Sequence, residues 1–594
     1  MGNKKVIYSA PLKALSSEKF HEWTRGVFKN QTIIQLTGDT LTSPKVRAEM
    51  MRKCQDADIV LMTSELLDSL TRNFQSENYQ WLMDVELLIC DESHIITSPG
   101  RGDCVEASIM RFSQINPKAR LWMLSATMPN VDEFSTWLSR LNGKSTQILN
   151  STWRPTTLVW HFVPHLTFGS YSEIQSDKIS KAVKLVQMKP TEKFLVFVWD
   201  KNTGRNIISR LREENIVCEF HNADVDFEGR TEIVQRFEDD SDPLQVIVAT
   251  STLSWGVNTS AQNVVMVGVH RGLSPVDELD VIQAGGRAGR FGKAPEGHVY
   301  LICDDPKEWE IRVKNPRPVT STLLNEDALS FHICAEIKNK IIKDEASLYA
   351  WYGRTLAAIQ EPLTKDMINN VLAKLEAWEC VKLDPRGFFQ CTQLGVVAAT
   401  LYYHPKDVYH WAKSFAYIEQ QNLWDSDVAL AYALAMPSSQ LPYIARSEQD
   451  RVMERVYALR RVWKAPIQAS TLFADVYDML AGEKPSMQAR QFKQDAERVC
   501  AALSWIGGIK AIARSDMWAI LPLRLKYGVP AKLVQLCRLP KIGAARAEKL
   551  WAMGVQTLDD VLANPAKVQR AVGENLLPEV MMAAKKLIRM DQQQ

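Results

Sequence analysis

The sequence predicts a tandem of two α/β domains with parallel sheets, followed by smaller, mainly helical modules. Three features carry that prediction. Short apolar runs alternate with amphipathic stretches across roughly the first half of the chain, the pattern of strands buried on both faces and joined by crossover helices. Polar, chemistry-bearing tripeptides follow those runs, where the loops of a doubly wound sheet collect ligands. From about Asp304 the apolar spacing turns helical.

Taken in order, strands are predicted at residues 6–10, 32–36, 59–62, 87–90 and 121–124, with amphipathic helices at 44–54 and 132–141 among the segments between them. After Trp153-Arg154-Pro155 a second set begins, with strands at 194–198, 217–221, 246–249, 264–269 and 299–303. At 594 residues the chain is too long for one core, and about three to five domains are expected. Hydrophobic residues at 46% and charged residues at 24% describe an ordinary soluble protein. A formal net charge of +2 confines any nucleic-acid surface to a local stripe. The ten cysteines form no CxxC pair, which argues against a zinc site or disulfide framework and for a reducing compartment, the cytoplasm or a eukaryotic nucleus. The start MGNKKVIYSAPL is no signal peptide, and no apolar run suits a bilayer, so no membrane partner is expected.

The stretch Val85 to His94, VELLICDESH, is the most informative. Its apolar run ends in two acids and a histidine at the carboxyl end of a predicted strand. An Asp there can hold magnesium through water, and the next Glu can take a proton from water attacking a phosphate. Alone, Asp91 and Glu92 could equally cap the following helix. The other loops shift that balance: Ala10-Pro11-Leu12-Lys13, Thr37-Gly38-Asp39, Thr63-Ser64-Glu65, Ser125-Ala126-Thr127, His221-Asn222-Ala223, ATSTLSWGVN at 249–258 and QAGGRAGR at 283–290. Two arginines three apart at a helix end suit contact with a polyphosphate from a facing domain.

With these motifs in this order the chain resembles the superfamily 2 helicases of the DExH type, in the Ski-like branch, and within it the archaeal HelQ-type DNA repair helicases, from the first residues to about Leu587. The resemblance implies two RecA-like motor domains that clamp ATP between them and a nucleic-acid strand across them. Asp91 would hold Mg2+ through water, and Glu92 would position and deprotonate the attacking water. His94, Ser125 and Thr127 would link the nucleotide site to the strand-binding face. Gln283, Arg287 and Arg290 would reach the nucleotide from the second domain, with Gly256 and Asn258 beside them. Pro11, Lys13, Thr37, Gly38, Thr63, His221 and Thr250 fall where the family grips the sugar-phosphate backbone, holding a strand without reading its sequence.

One departure matters. The family places a glycine-rich phosphate loop, the Walker A motif ending in Gly-Lys-Ser/Thr, before the APLKAL stretch, and no GxxxxGK(S/T) occurs in these residues. Such a loop supplies backbone amides and a lysine for the phosphates and a hydroxyl for magnesium. The first motor domain is therefore expected to be incomplete at its N-terminus, to need a polypeptide segment carrying that motif, and to lack a strand beside the one that bears Asp91.

The predicted domains are 1–152 and 153–305 for the RecA-like pair, 306–403, 404–530 and 531–594. Between 270 and 280 the family often has a strand-separating hairpin; here the connection is short, and a plain loop is as good a reading. In 306–403, the helical stripe of Met367, Val371, Leu375 and Trp378, then a strand, Asp384-Pro385-Arg386-Gly387 and a second strand at 388–392, read as a winged helix that binds DNA or, favoured in this branch, braces the motor. In the helical bundle 404–530, a helix over 488–506 has a core stripe of Phe492, Ala496, Val499, Leu503 and Ile506, with Gln491, Gln494, Arg498 and Trp505 on a second face. Arg498 and Trp505 could hold a phosphate and stack on a base in the ratchet the family has here, or be a solvated cation and a core aromatic. In 531–594, LCRLPKIGAARAEKLWAMG reads as a helix-hairpin-helix, with Gly543 at the turn, helix amides for a phosphate, and Lys541, Arg546 and Lys549 nearby. An αα-hairpin that only packs on the motor is the plainer alternative.

The resemblance implies a 3′-to-5′ ATP-dependent DNA helicase acting on single-stranded or forked DNA in repair or replication restart. An RNA helicase of the same branch and a non-catalytic strand-binding subunit are the rival readings.

Overall fold

The computed structural model describes residues 5–592 except 39–43, 126–127, 152, 155, 223, 251–252, 254–258, 273, 290–295, 437–443, 445, 484–491, 493–495 and 510–516. The chain divides into two units, Met1–Ala328 with Tyr352–Leu363, and Leu329–Trp351 with Thr364–Gln594.

The first unit holds two parallel sheets in tandem. Strands β1 (Lys5–Ala10), β2 (Ile33–Leu36), β3 (Ile59–Thr63), β4 (Val85–Cys90) and β5 (Arg120–Met123) form a sheet in the order β2-β3-β1-β4-β5. All its pairings are parallel. The central strand carries Ile7, Tyr8 and Ala10, each almost fully buried; a strand covered on both faces reads as one apolar run, which is why these strands were visible in the sequence. Lys5 opens β1 as a buried amine donating to the carbonyls of Cys54 (2.5 Å), Gln55 (3.1 Å) and Ala57 (2.6 Å), so it ties the end of helix Pro44–Asp56 to the sheet.

The strand bearing Asp91 has no vacant side. Strand β4 is bonded to β1 from Lys5↔Val85 to Ser9↔Cys90 and to β5 from Leu87↔Arg120 to Cys90↔Met123. The expectation of a missing strand beside it is corrected. Crossovers of both directions from a central strand put β1 and β5 there, and this sheet ends at β2 and β5. At the β5 edge Trp122 is 52% and Leu124 44% exposed.

The second sheet has six strands: β6 (Thr157–Pro164), β7 (Phe194–Phe197), β8 (Cys218–His221), β9 (Val246–Ala249), β10 (Asn263–Val267) and β13 (Glu296–Cys303), ordered β6-β13-β10-β7-β9-β8 and all parallel. Strand β6 was not expected. It is an edge strand whose residues are mostly half-buried, so Thr157-Leu158-Val159-Trp160-His161 lacks both a clean alternation and a solid apolar run. The connection after β10 is a minimal antiparallel hairpin, β11 (His270–Arg271) with β12 (Ser274–Pro275), exposed at all four positions; the plain-loop alternative does not hold. Arg271 stacks on the Trp199 ring, whose Nε1 donates to the Gly268 carbonyl at 2.6 Å.

In the second unit, Thr364 caps helix Lys365–Ala377, with Val371 and Leu375 fully buried. Strands β14 (Val381–Leu383) and β15 (Phe389–Cys391) pair antiparallel across a turn with Gly387 at φ 85°. Helices follow, among them Gln393–Leu401, Pro405–Gln420, Asp427–Ala435, Arg446–Arg460, Thr471–Ala481 and Ala496–Ile509. On the last, Val499, Leu503 and Ile506 are buried as the stripe predicts, while Gln491 and Gln494 lie outside the described residues. The C-terminal helices from Ala544–Ala552 to Leu577–Gln592 enclose their own core around Leu550, Val561 and Val580. The ten cysteines form no disulfide, and nine are buried. Among the described residues no helix is long and apolar enough to cross a membrane.

Candidate functional site

The carboxyl end of β4 leads into the site. Asp91 continues the ladder by donating its N–H to Ser9 O (2.9 Å), and Ser93 does so by donating to Leu124 O (2.8 Å). Between them the chain reverses at Glu92, a non-glycine residue in the left-handed region (φ 51°, ψ 44°). That conformation costs about 1–2 kcal/mol and marks a position the neighbours hold. A turn of 3-10 helix, Ser93–Thr97, follows and buries His94. Gly102 lets the next helix, Gly102–Ile115, lie directly on this turn: a Cβ there would sit 1.8 Å from Ile96 O.

Asp91 Oδ1 accepts the Glu92 N–H at 2.9 Å, and Oδ2 accepts the Tyr8 hydroxyl, whose pKa burial and this carboxylate push up. Each oxygen so carries one donor and keeps a second acceptor position. The residues fit a magnesium ion held through water, since hard cations take carboxylate oxygens and retain several waters.

Glu92 is held from the other domain. Its Oε1 accepts from Gln283 Nε2 at 2.9 Å. Burial and then Asp91 raise its carboxyl to about 7, against the opposing pull of Arg287 and Gln283. His94 moves the other way, to about 4, because burial disfavours the imidazolium more than the Gln283 amide favours it. Its Nδ1 lies 3.2 Å from Ser125 Oγ and 3.5 Å from Glu92 Oε2. Near neutrality His94 is uncharged, so this is a hydrogen-bonding contact rather than an ion pair. Arg287, half-buried, faces Glu92 and Glu18 and donates from Nη1 to Thr259 O at 3.4 Å.

The glycines of QAGGRAGR have packing reasons too. A Cβ on Gly285 would come 2.6 Å from the Trp160 ring, and one on Gly289 (φ 96°) 2.2 Å from Thr156 Oγ1. Arg154 Nη2 donates to Gly286 O at 2.9 Å, holding the turn that presents Arg287.

The structure thus gathers Asp91, Glu92, His94, Ser125, Gln283 and Arg287. Thr127, Gly256, Asn258 and Arg290 lie outside the described residues. Of the expected strand contacts, Lys13 and Gly38 are exposed, Thr63 and Thr250 are half-buried, and Thr63 Oγ1 caps helix Ser64–Arg72. Pro11 is buried, and Thr37 and His221 are each 2% exposed. Burial and then Arg230 lower the His221 pKa to about 4, so near neutrality this ring is uncharged.

In the second unit Trp505 is 47% exposed. Arg498 is exposed too; its Nη2 donates to Leu401 O (2.9 Å), and the guanidinium lies over the Tyr403 ring. At the C-terminal hairpin the left-handed residue is Lys541 (φ 59°), while Gly543 is extended and starts helix Ala544–Ala552. The tight-turn role expected of Gly543 passes to Lys541. The Lys541 amine pairs with Glu579 at 3.1 Å, and its carbonyl accepts Arg546 Nη1 at 2.6 Å. Sequence reasoning missed Tyr8, Glu18 and Arg154, and no local pattern marks them.

Known families match both motor segments. Residues 1–134 match the DEAD/DEAH box helicase family and residues 177–292 the helicase conserved C-terminal domain. An ATP-dependent DNA helicase Hel308 of Thermoplasma acidophilum is 27% identical over 627 residues, covering 96% of this chain and 87% of that protein. A Hel308 of Pyrococcus horikoshii is 25% identical over 643 residues, covering 96% and 86%. Among solved structures, the DUF1998 helicase MrfA bound to DNA and AMPPNP is similar with a TM-score of 0.47 and 17% identity, over 66% of this chain and 53% of that one. The chain has two tandem RecA-like helicase domains and is similar, along nearly all its length, to archaeal proteins of the Hel308 type.

Proposed function

We propose that this chain is the greater part of an ATP-dependent DNA helicase that moves 3′ to 5′ on single-stranded or forked DNA. The observation that carries the reading is Glu92: a carboxyl raised to about 7, set beside Asp91 and bonded to Gln283 of the facing domain. A group with that pKa accepts a proton from water effectively near neutrality. A magnesium ion, when bound, neutralises developing phosphate charge. Asp91 holds that ion's water shell, Glu92 orients the attacking water and takes its proton, and Arg287 brings positive charge from the second domain. Gln283 touches both Glu92 and His94, so it registers whether the domains are closed.

These residues include no GxxxxGK(S/T), so the phosphate-cradling loop reaches the site on further polypeptide, of this or another chain. The half-exposed Trp122 and Leu124 support the β5 edge as the place where its strand docks. The Gly143-Lys144-Ser145 triplet is no substitute, because Gly143 is the left-handed cap ending helix Val131–Asn142. Lys13, Gly38, Thr63 and Thr250 hold the strand's backbone. Helix Lys365–Ala377 with the β14–β15 hairpin is a winged helix, Trp505 is a stacking contact of a ratchet helix, and the amides of helix Ala544–Ala552 bind a phosphate of duplex DNA.

DNA-stimulated ATP hydrolysis by the chain, alone and mixed with a polypeptide carrying the phosphate loop, tests this. Activity confined to the mixture and lost in Glu92→Gln is expected. DNA binding without hydrolysis in any mixture would leave a strand-binding subunit, and activity of these 594 residues alone would overturn the account of the phosphate loop.

A further inference from the structure

The segment that follows the second sheet is fastened to both motor domains within five residues. Arg317 grips Glu278 three times: its N–H and Nε donate to Oε1 at 3.1 and 2.5 Å, and Nη2 donates to Oε2 at 2.8 Å. The Glu278 side chain is 1% exposed and opens helix Glu278–Gly285, the helix that carries Gln283. Two residues on, Val319 is held on the first domain by a paired amide contact. Its N–H donates to Asn130 Oδ1 at 2.9 Å, and its carbonyl accepts from Asn130 Nδ2 at 3.1 Å. Ser321 then donates its hydroxyl to the buried Glu106 at 2.5 Å, on helix Gly102–Ile115 behind the Asp91 loop.

We propose that residues 317–321 are a strap that sets how the two motor domains close, with Arg317 and Glu278 as positioning residues for Gln283 and Arg287. The inference rests on the hydrolytic reading of Glu92 for its effect on rate, but not for its effect on the helix.

Geometry gives the strap its leverage. Two residues of chain reach at most about 7 Å, so the Glu278 and Asn130 anchors cannot part further without one letting go. Domain movement must therefore turn about this point rather than pull the domains apart. Gln283 lies five residues along the helix from Glu278, about 7.5 Å from the pivot. A turn of about 10° there moves Gln283 by about 1.3 Å, and misplacements of that size are worth up to about a hundredfold in rate. Arg317 suits the task because its planar fork fixes direction as well as charge, which a lysine does not.

Amide hydrogen exchange of the chain, together with steady-state ATP hydrolysis in the complemented mixture, tests the strap. In Arg317→Ala, exchange over residues 278–289 should rise about tenfold, with strand β7 in the core of the same domain unchanged. The rate constant kcat should fall about tenfold while DNA affinity holds. Arg317→Lys should recover part of both effects, and the charge swap of Glu278→Arg with Arg317→Glu should recover more than either single change. Exchange at the wild-type rate, or a rise spread over the whole unit, would overturn the proposal. If the wild-type mixture never hydrolyses ATP, the hydrolytic reading falls, and the exchange pattern still decides whether the strap holds this helix.

Discussion

Replacing Glu92 with Gln should stop hydrolysis and stabilise the protein, with a pH dependence that identifies the cause. Burial and Asp91 raise this carboxyl from 4.5 to about 7. Between those values the folded state keeps a proton that the unfolded state has lost, so stability falls as pH rises through that window. At about 1.4 kcal/mol per pH unit, the full cost of the charged form above pH 7 is about 3 kcal/mol. Gln keeps the shape without the charge and escapes that cost. At pH 8 the variant should be about 3 kcal/mol more stable in its first urea transition, and at pH 5 by less than about 1 kcal/mol, because there the folded wild type is already protonated. Urea unfolding at both pH values, paired with ATP hydrolysis, is the assay. A variant no more stable than wild type at pH 8, or with the same advantage at both, would show that Glu92 is not a destabilised carboxylate.

Four further outcomes follow from side chains already placed. Lys541→Gly should stabilise the C-terminal hairpin by about 1 kcal/mol, because Lys541 stands at φ 59° where glycine costs nothing, less a small loss of its exposed pair with Glu579; a lowered denaturation midpoint would contradict the turn. Gly102→Ala should cost about 3 kcal/mol or more, since its methyl would fall 1.8 Å from Ile96 O, and unchanged stability would mean that the turn carrying His94 is not packed as described. Trp505→Ala should weaken single-stranded DNA binding by about 1–3 kcal/mol at unchanged stability. Arg498→Ala should do the reverse, losing about 1 kcal/mol of stability as the Leu401 carbonyl loses its donor while DNA affinity holds; titrations with a labelled oligonucleotide separate the two.

What could be read from the sequence was what burial makes uniform. Strands β1, β3, β7, β9 and β10 are covered on both faces and announce themselves as apolar runs, and with them came the loops at their carboxyl ends. Strand β6 did not, because an edge strand with mixed exposure has no single period. Strand order was not legible either: nothing in VELLICDESH says that β1 and β5 flank it. The same limit applies to side chains. Asp91, Glu92 and Gln283 could be assigned from motif chemistry, whereas Tyr8 meets Asp91 only through strand pairing. Polarity alone did not reveal that His221 is buried or that Arg498 is engaged by backbone carbonyls.

The contacts around Glu92 close into a ring, and that constrains how the site behaves. Glu92 bonds to Gln283, whose helix begins at Glu278; Glu278 is gripped by Arg317, two residues before Val319. Val319 is held by Asn130, five residues past Ser125, which meets His94, and His94 sits against Glu92 and Gln283. Contacts in an open chain fail independently, but in a closed ring, loosening one joint partly relaxes the next. The effects of Arg317→Ala and His94→Ala on kcat should therefore be non-additive, with a coupling above about 0.5 kcal/mol although the residues stand at opposite points of the ring. Strict additivity in that double-mutant cycle would mean that the strap and the histidine serve the site separately, and that closure is not carried around the ring.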